Sequence, residues 1–299
     1  MFPGATLTAG PGRRRSPALL RLLTEFLLLC LFVRSPLWAV EADSGEYLLN
    51  SGGCVACHTK DGGGRLAGGR ELESPFGVFY APNITPDTAT GIGNWTDDDF
   101  VRAFHEGVSP EDSHYYPAFP YTSYTGMSRE DLLKIKAYLD ALEPVTNDVP
   151  DHDLVWYASW RWPLVIWKWL YFNEGRFVPD DTQDAAWNRG AYLVRHVGHC
   201  GECHTPRTVF GGFRRNSELK GAPGFGEAKS APNLTPHEDG LGDWRRGDWE
   251  LLLEVGMLPN GDFAGGEMGV VVDENTALLT DADRAAMINY LRNLPPLAN

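Results

Sequence analysis

Two short motifs with the same spacing are the residues whose chemistry is clearest in this chain. Both read C-x-x-C-H, a pattern typical of covalent c-type haem attachment, in which two thiols add to the haem vinyl groups and the histidine ligates the iron. A redox dithiol does not need the histidine, and 142 residues between the pairs do not suit a four-cysteine zinc site. The sequence therefore predicts two covalently bound haems, held by Cys54, Cys57 and His58 and by Cys200, Cys203 and His204.

The N-terminal segment indicates export. Three arginines at positions 13–15 precede an apolar core at 26–33, and small residues follow at Ala39 and Ala42. This order is typical of a secretory signal peptide, predicted here as residues 1–39. A retained anchor is the alternative, but the uninterrupted apolar run is much shorter than the roughly 20 residues that span a bilayer. We expect a periplasmic protein, since c-type haem is attached outside the cytoplasm.

Composition and charge exclude several classes of protein. The chain has 299 residues, of which 43% are hydrophobic and 22% charged, a globular profile rather than a disordered or collagen-like one. Its net charge is −14, and it becomes −18 once residues 1–39 are removed. A nucleic-acid binder normally has a basic balance, so that class is excluded. A partner surface is expected to be basic.

The two motifs lie in an internal repeat that predicts two similar domains. Few segments favour strands, and each unit predicts three main helices, so we expect an all-α fold. The first unit's helices run into Cys54, over 96–105 and over 128–142; the second unit's run over 185–197, 244–255 and 280–294. The domains are 43–147 and 184–299, joined by a linker at 148–183. Matching segments are 45–48 with 190–193, 81–85 with 231–235, 91–95 with 240–244, and 128–131 with 280–283.

Two features of the repeat predict local contacts. Ser128 and Thr280 are expected to be N-caps of the terminal helices, each with a carboxylate three residues later. The pairs Gly45 with Tyr138 and Gly190 with Tyr290 are expected to join the first and last helices of each unit. Asn83 and Asn233 are expected either to hold a loop beside the haem propionates or to serve ordinary turns. Arg207 is expected either to pair with a propionate or to be solvated.

Each unit resembles a class I cytochrome c domain. The tandem resembles the cytochrome c subunits of membrane-associated quinoprotein alcohol dehydrogenases and of related gluconate and aldehyde dehydrogenases. The resemblance covers residues 43–299 and rests on segments 81–85, 95–100, 116–121 and 198–207. Those subunits typically carry three haem motifs and a longer C-terminus, whereas this chain has two motifs.

The resemblance implies an exported dihaem electron carrier with no catalytic residues of its own. Its electron donor would be a periplasmic or membrane-associated dehydrogenase, and its acceptor a respiratory cytochrome or oxidase. It would lie in the periplasm, with peripheral association at the outer face of the inner membrane as a further possibility. The alternatives are a dihaem peroxidase-like enzyme, which needs one haem with an open sixth position, and a haem protein without turnover.

A cytochrome that only transfers electrons usually has both axial positions of its haem iron filled, often by His and Met. In the first unit Met127 lies just before the terminal helix, where this fold presents its ligand, and His105 and His114 are its competitors. In the second unit Met268, in a glycine-rich loop, is favoured by loop position and by the family pattern. Its competitors are Met257, which aligns with Val108, and Met287, which has core spacing in the terminal helix.

The linker is rich in tryptophan, with five tryptophans between positions 154 and 172. One interpretation is a helix packed between the domains, which fixes the distance between the haems. The other is a docking patch for a dehydrogenase or for the membrane interface. Arg161, Pro163 and Lys168 argue against a membrane span.

Overall fold

Helices make up most of the regular structure in the computed structural model, which describes residues 43–214, 216–224 and 230–298. These residues belong to one compact unit, Ala42–Asn299. Within the described ranges, none of the helices combines the length and the apolar character that a membrane crossing requires. The predicted signal peptide, residues 1–39, lies outside the described residues.

The helices follow the repeat in the sequence. The first half, residues 43–147, contains α1 (Gly45–Ser51), α2 (Cys54–His58), α3 (Asp97–Glu106), α4 (Tyr121–Tyr124) and α5 (Arg129–Asp140). The linker, residues 148–183, carries α6 (Pro163–Tyr171). The second half, residues 184–298, contains α7 (Ala185–Tyr192), α8 (Gly201–His204), α9 (Arg246–Val255), α10 (Gly266–Glu274) and α11 (Asp281–Arg292). A π-helical turn, Leu193–Val197, extends α7, and a 3₁₀ turn, Thr276–Leu278, precedes α11.

The predicted helices form at nearly the predicted positions because their ends are capped locally. At α3, the Thr96 side chain accepts a hydrogen bond from the Asp99 N–H, and the Asp99 carboxylate accepts one from the Thr96 N–H. This reciprocal capping box satisfies two of the unpaired N–H groups of the first turn. The helix ends at Gly107, whose φ of 63° is left-handed.

A small antiparallel sheet departs from the all-α prediction. Its strands are β1 (Glu71–Ser74), β2 (Gly77–Tyr80) and β3 (Asp153–Leu154), in the order β1-β2-β3. Gly77 makes the tight connection because its φ of 116° disfavours any residue with a side chain, and the Asp153 carbonyl lies where a Cβ would be. The sheet ties the start of the linker to the first half.

The first and last helices of each half contact each other through glycine, as predicted. A Cβ on Gly45 would overlap the Lys134 carbonyl oxygen, and a Cβ on Gly190 would overlap the Ala286 carbonyl oxygen. The Cβ atoms of Tyr138 and Tyr290 lie beside the same two positions. Each glycine therefore lets two helix backbones approach more closely than any side chain would allow.

Each half places one tyrosine hydroxyl at the N-terminus of the other half's last helix. The Tyr47 hydroxyl of α1 accepts from the Thr280 N–H at 3.2 Å and donates to the Asp283 carboxylate at 2.6 Å. The Tyr192 hydroxyl of α7 accepts from the Ser128 N–H at 3.1 Å and donates to the Asp131 carboxylate at 2.6 Å, completing the pattern.

Each tyrosine therefore occupies the N-terminus of the other half's last helix. Ser128 and Thr280 cap these helices as predicted, by accepting from the N–H groups of Asp131 and Asp283. Burial and the hydrogen bond to Asp283 raise the pKa of Tyr47 to about 12. Burial alone would raise the pKa of Asp283, but hydrogen bonds from Arg189 and Tyr47 hold it below the usual value.

Replacement of Gly190 by alanine tests the close helix contact. We expect Gly190→Ala to lower the free energy of unfolding by about 1–3 kcal/mol or more, because the added methyl overlaps the α11 backbone. The measurement is chemical denaturation of the holoprotein followed by circular dichroism.

Gly247→Ala is the matched control, since Gly247 lies within α9 and a Cβ there meets no atom within 4 Å. This control should gain about 0.5–1 kcal/mol from helix propensity. Equal effects of the two substitutions would contradict the packing role of Gly190.

Candidate haem sites

The two motif histidines are held in the same way. His58, at the end of α2, donates from Nδ1 to the Pro82 carbonyl at 2.7 Å, and His204, at the end of α8, donates to the Pro232 carbonyl at 2.8 Å. A proton held on Nδ1 leaves the Nε2 lone pair available to a metal. Burial lowers the pKa of both imidazoles, which favours the neutral form that ligates iron.

Matching backbone hydrogen bonds join each histidine to the loop that follows it. The Gly68 N–H donates to the His58 carbonyl and the Gly221 N–H to the His204 carbonyl, both at 2.7 Å. The Leu66 N–H reaches the Thr59 hydroxyl, and the Leu219 N–H reaches the Thr205 hydroxyl in the same position. The repeat seen in the sequence is therefore repeated in the geometry around both motifs.

Asn83 and Asn233 fix the loops that carry the two proline carbonyls. The Asn83 side chain accepts from the Thr85 N–H at 2.9 Å and donates to the Val145 carbonyl at 2.7 Å. Asn233 makes the same pair of bonds, with the Thr235 N–H and the Leu297 carbonyl. Both asparagines are buried, so they hold the loop beside each histidine to the end of its own half. This role goes beyond ordinary turn chemistry.

The four motif cysteines form no disulfide in the described part of the chain, so both sulfur atoms of each motif are available for thioether bonds. Burial raises the pKa of the Cys54 and Cys200 thiols to about 12 and raises those of Cys57 and Cys203. In these ranges no cluster of three or more His, Cys, Asp or Glu side chains is arranged to hold a metal ion. The donor set of each motif, two thiols followed by one oriented imidazole, fits haem c.

A buried, unpartnered donor also fits a haem. The indole N–H of Trp249 on α9 is buried and has no hydrogen-bond partner. Phe100 on α3 is its counterpart in the first half, and both side chains belong to the apolar core. An acidic group such as a haem propionate would satisfy the indole N–H, and the same position in the first half needs no such acceptor.

The two motifs begin next to each other. The His199 imidazole donates from Nε2 to the Gly52 carbonyl at 3.2 Å, so residues just before the two first cysteines are in direct contact. Both Gly53 and His199 have left-handed backbones, with φ of 67° and 39°. Burial raises the pKa of Cys203, and the nearby Glu202, Glu267 and Cys57 add to this effect.

Sequence reasoning assigned no role to Glu202, the variable residue inside the second motif. Its carboxylate accepts from the Thr122 hydroxyl at 2.8 Å and from the Ser123 hydroxyl at 2.6 Å, both on α4 of the first half. Arg207 pairs with the same carboxylate and lies over the Phe213 ring. Arg207 is thus held by Glu202, with 31% of its side chain exposed.

Met127 lies in the core, with 1% of its surface exposed. Its carbonyl accepts from His105 Nε2 at 3.0 Å, and Leu279, the residue at the matching place in the second half, is also buried. His114 Nδ1 accepts from the Lys168 ammonium at 2.8 Å. The two competing histidines therefore have other partners, and Met127 as the first distal ligand stays a prediction.

Met268 lies on a helix and not in a loop, which corrects the expected local structure. The glycines at 265 and 266 form the start of α10, where Gly265 is the N-cap, and the following residues are helical up to Glu274. The side chain of Met268 is half-buried, whereas Met287 is buried inside α11 as predicted. Met257 forms an antiparallel β-bridge with Phe263, and Val108 forms the same bridge with His114. The predicted alignment of Met257 with Val108 is therefore confirmed.

Helix α10 also contacts the first motif. Glu267, next to Met268, pairs with Arg70 at 3.0 Å, and α10 contacts α2. The structure thus brings the Met268 segment to the border between the two motifs. Met268 as the second distal ligand stays a prediction.

Comparison with known proteins gives a consistent result. The cytochrome c family matches residues 42–143. The chain is 41% identical over 267 residues to "Diheme cytochrome c-type" of Cereibacter sphaeroides, and the match covers 86% of this chain and 87% of that protein.

Two further relatives are subunits of larger enzymes. The chain is 39% identical to the gluconate 2-dehydrogenase cytochrome c subunit of Pantoea cypripedii and 38% identical to the fructose dehydrogenase cytochrome subunit of Gluconobacter japonicus. These matches cover 84% and 85% of this chain but only 58% and 52% of the relatives. The chain therefore spans little more than half the length of these subunits.

Replacement of Asn83 by alanine tests the loop that holds His58. We expect Asn83→Ala to cost at least about 2 kcal/mol of unfolding free energy, because the buried Thr85 N–H and Val145 carbonyl both lose a partner. Urea denaturation of the holoprotein measures this loss.

The control is Asn94→Ala, which removes a single exposed hydrogen bond to the Thr88 carbonyl and should change stability by less than about 0.5 kcal/mol. Similar losses for both variants would argue against a structural role specific to Asn83.

Proposed function

This chain belongs to the cytochrome c family, and we propose that it carries electrons on two covalently bound haems c, one in each half. The observation that carries this proposal is the duplicated arrangement of motif, oriented histidine and proline loop. The name of the Cereibacter relative supports the count of two. On this proposal the halves are two cytochrome c domains joined by the linker at 148–183.

The residues that would hold each haem follow from the site geometry. In the first half Cys54 and Cys57 would form the thioether bonds and His58 Nε2 would ligate the iron, with Met127 as the proposed second ligand. In the second half the corresponding residues are Cys200, Cys203, His204 and Met268. When bound, haem c supplies a one-electron iron centre.

The protein's own contribution is orientation and exclusion of water. The Pro82 and Pro232 carbonyls fix the tautomer of each histidine, which keeps the ligating nitrogen basic. The core side chains around each motif keep the site apolar, which favours the less charged state of a metal centre. The close approach of the two motifs supports passage of electrons between the halves without a third carrier.

A dehydrogenase is the proposed electron donor. The gluconate, alcohol and fructose dehydrogenase relatives are cytochrome subunits of such enzymes, and we extend this partnership to the present chain. A respiratory cytochrome or oxidase is the proposed acceptor. Because the chain without residues 1–39 carries a charge of −18, the partner surfaces are expected to be basic.

The periplasm is the proposed location, with peripheral contact at the outer face of the inner membrane. The basic, apolar and small-residue order at positions 13–42 supports export, and so does the need to attach haem outside the cytoplasm. N-terminal sequencing of the purified protein tests this directly. A new N-terminus near Ala39 or Ala42 is expected, and an intact Met1 would contradict it.

The haem count tests the two-site proposal. A haemochrome spectrum of the denatured, reduced protein should give two haems per chain, because each half has a complete donor set. A value near one in the unmodified protein would contradict the proposal.

Two double variants serve as matched controls for each other. Cys54→Ala with Cys57→Ala, and Cys200→Ala with Cys203→Ala, should each leave one haem. Loss of both haems in either variant, while the protein remains folded by circular dichroism, would show that the sites are not independent attachment sites.

The salt dependence of electron transfer tests the proposed partnership. Reduction by the dehydrogenase that copurifies from native membranes should slow roughly tenfold when salt is raised from low to physiological strength, because screening removes attraction of the acidic chain to a basic surface. Stopped-flow absorbance measures this rate.

Reduction by a small uncharged reductant is the control, and its rate should stay constant. Fast transfer that is indifferent to salt would contradict a diffusing carrier and would indicate a permanent subunit complex.

A further inference from the structure

The second half has one more residue than the first between its first helix and its haem motif. The hydroxyls of Tyr47 and Tyr192 make equivalent hydrogen bonds, so these two residues fix the alignment of α1 with α7. The first motif begins seven residues after its tyrosine, at Cys54, whereas the second begins eight residues after its tyrosine, at Cys200. A single-residue insertion therefore precedes the second motif.

A π-helical turn accommodates this insertion. In the first half, the Gly52 N–H donates at 2.8 Å to the Leu48 carbonyl, four residues earlier, as in an α-helix. In the second half, the Gly198 N–H donates at 2.7 Å to the Leu193 carbonyl, which is five residues earlier. The extra residue thus lies within the turn Leu193–Val197. Single π-helical turns inside helices are frequent at functional sites.

The π-helical turn carries His196, which contacts the segment that leads into Met127. His196 Nδ1 donates to the Ser123 carbonyl at 2.9 Å. A Cβ on Gly126 would overlap the imidazole of His196, so the ring lies directly against the Gly126 backbone. Because a carbonyl can only accept a hydrogen bond, the imidazole carries a proton on Nδ1. A side chain of the second half therefore contacts both ends of residues 123–126 in the first half.

The end of the linker adds to this contact. The Phe177 N–H donates to the Gly126 carbonyl at 3.0 Å, and the Phe177 ring centre lies 5.6 Å from that of His196. The linker therefore reaches this segment through residues near its C-terminal end. Its tryptophans are different, because four of them are exposed, and a helix packed between the domains does not describe these side chains: Trp156, Trp160, Trp162 and Trp169.

The insertion matches an asymmetry between the proposed distal ligands. Met127 directly precedes the N-cap of α5, but Leu279 occupies the matching place before α11. The proposed ligand of the second half, Met268, instead lies on α10. The half that has a methionine before its terminal helix is thus the half whose preceding turn is held by the π-helical turn of the other half.

We propose that His196 is a positioning residue for the first haem, and that it holds residues 123–127 from the opposite half so that Met127 stays on the iron. The inference rests on the proposed ligation by Met127. The Ser123 carbonyl lies four residues before the ligand and the Gly126 backbone immediately before it, so a change at His196 reaches the ligand through the main chain. The second half thereby sets how firmly the first haem keeps its sixth ligand.

Competition with added imidazole tests this inference. Imidazole displaces a methionine ligand from haem iron, and the thioether–iron absorption of the oxidised holoprotein reports how much methionine remains bound. His196→Ala should raise the affinity of one haem for imidazole about three- to tenfold, the factor expected from one lost hydrogen bond. His196→Asn, whose amide keeps an N–H donor near the place of Nδ1, should restore most of the unmodified affinity.

The close contact at Gly126 gives a second, independent variant. The backbone of Gly126 lies outside the left-handed region, and the three atoms nearest to an added Cβ all belong to His196. Gly126→Ala should therefore displace the imidazole ring and raise the affinity for added imidazole as His196→Ala does. Combining the two substitutions should give no larger effect than His196→Ala alone, because both remove the same contact.

Gly190→Ala is the control for a general loss of stability. It strains α7, which leads into the π-helical turn, but its Cβ meets the α11 backbone and not residues 123–127. Its imidazole affinity should equal that of the unmodified protein at both haems. Haem content must stay at two per chain in every variant that is compared.

Met127→Ala separates failure of this inference from failure of the proposed ligation. If Met127→Ala removes the thioether absorption of one haem while His196→Ala leaves the imidazole affinity unchanged, the ligation stands and the role of His196 is wrong. If Met127→Ala leaves the thioether absorption of both haems intact, the proposed ligation is wrong and the inference is overturned with it.

Discussion

The N-termini of the two terminal helices depend on tyrosine side chains from the opposite half. A capping serine or threonine satisfies one N–H of the first turn, and in an ordinary capping box the third residue returns its carboxylate to the cap N–H. Here the hydroxyls of Tyr47 and Tyr192 lie between the cap N–H and the carboxylate. Each hydroxyl accepts a hydrogen bond from the cap N–H and donates one to the carboxylate. A hydrogen bond to a charged group contributes about 1.5–3 kcal/mol. Neither half completes its last helix alone.

The adjacency of the two motifs is consistent with this exchange. Tyr47 of α1 and Tyr192 of α7 each reach the N-terminus of the other half's last helix, and the chain leaving α1 and α7 enters the two motifs side by side, at the contact between His199 and Gly52. Glu202 then joins the second motif to α4, and Arg70 joins the first half to α10. The histidine geometry inside each half is independent of the exchange, since it is set by the local loops of Asn83 and Asn233.

Sequence periodicity predicted the helices, their caps and the glycine contacts, because each of these depends on residues close in sequence or on a matched pair in the repeat. The C-x-x-C-H spacing likewise predicted a donor set for each motif. The sequence alone did not predict the exchange of Tyr47 and Tyr192, since a long-range partner leaves no local pattern. The helix around Met268 was missed because Gly265 and Gly266 favour a loop, and the exposure of the tryptophans was not resolved because tryptophan suits both a core and an interface.

Two haems held at the proposed sites would form a fixed, close pair within one chain. Pulse radiolysis of the oxidised protein tests it most directly, by injecting less than one electron per chain and following the spectra of the two sites. For two sites in one chain, we expect an exchange phase between them whose rate does not change with protein concentration. An exchange rate that rises in proportion to protein concentration would mean that electrons move only between molecules, and it would contradict a close pair of sites within one chain.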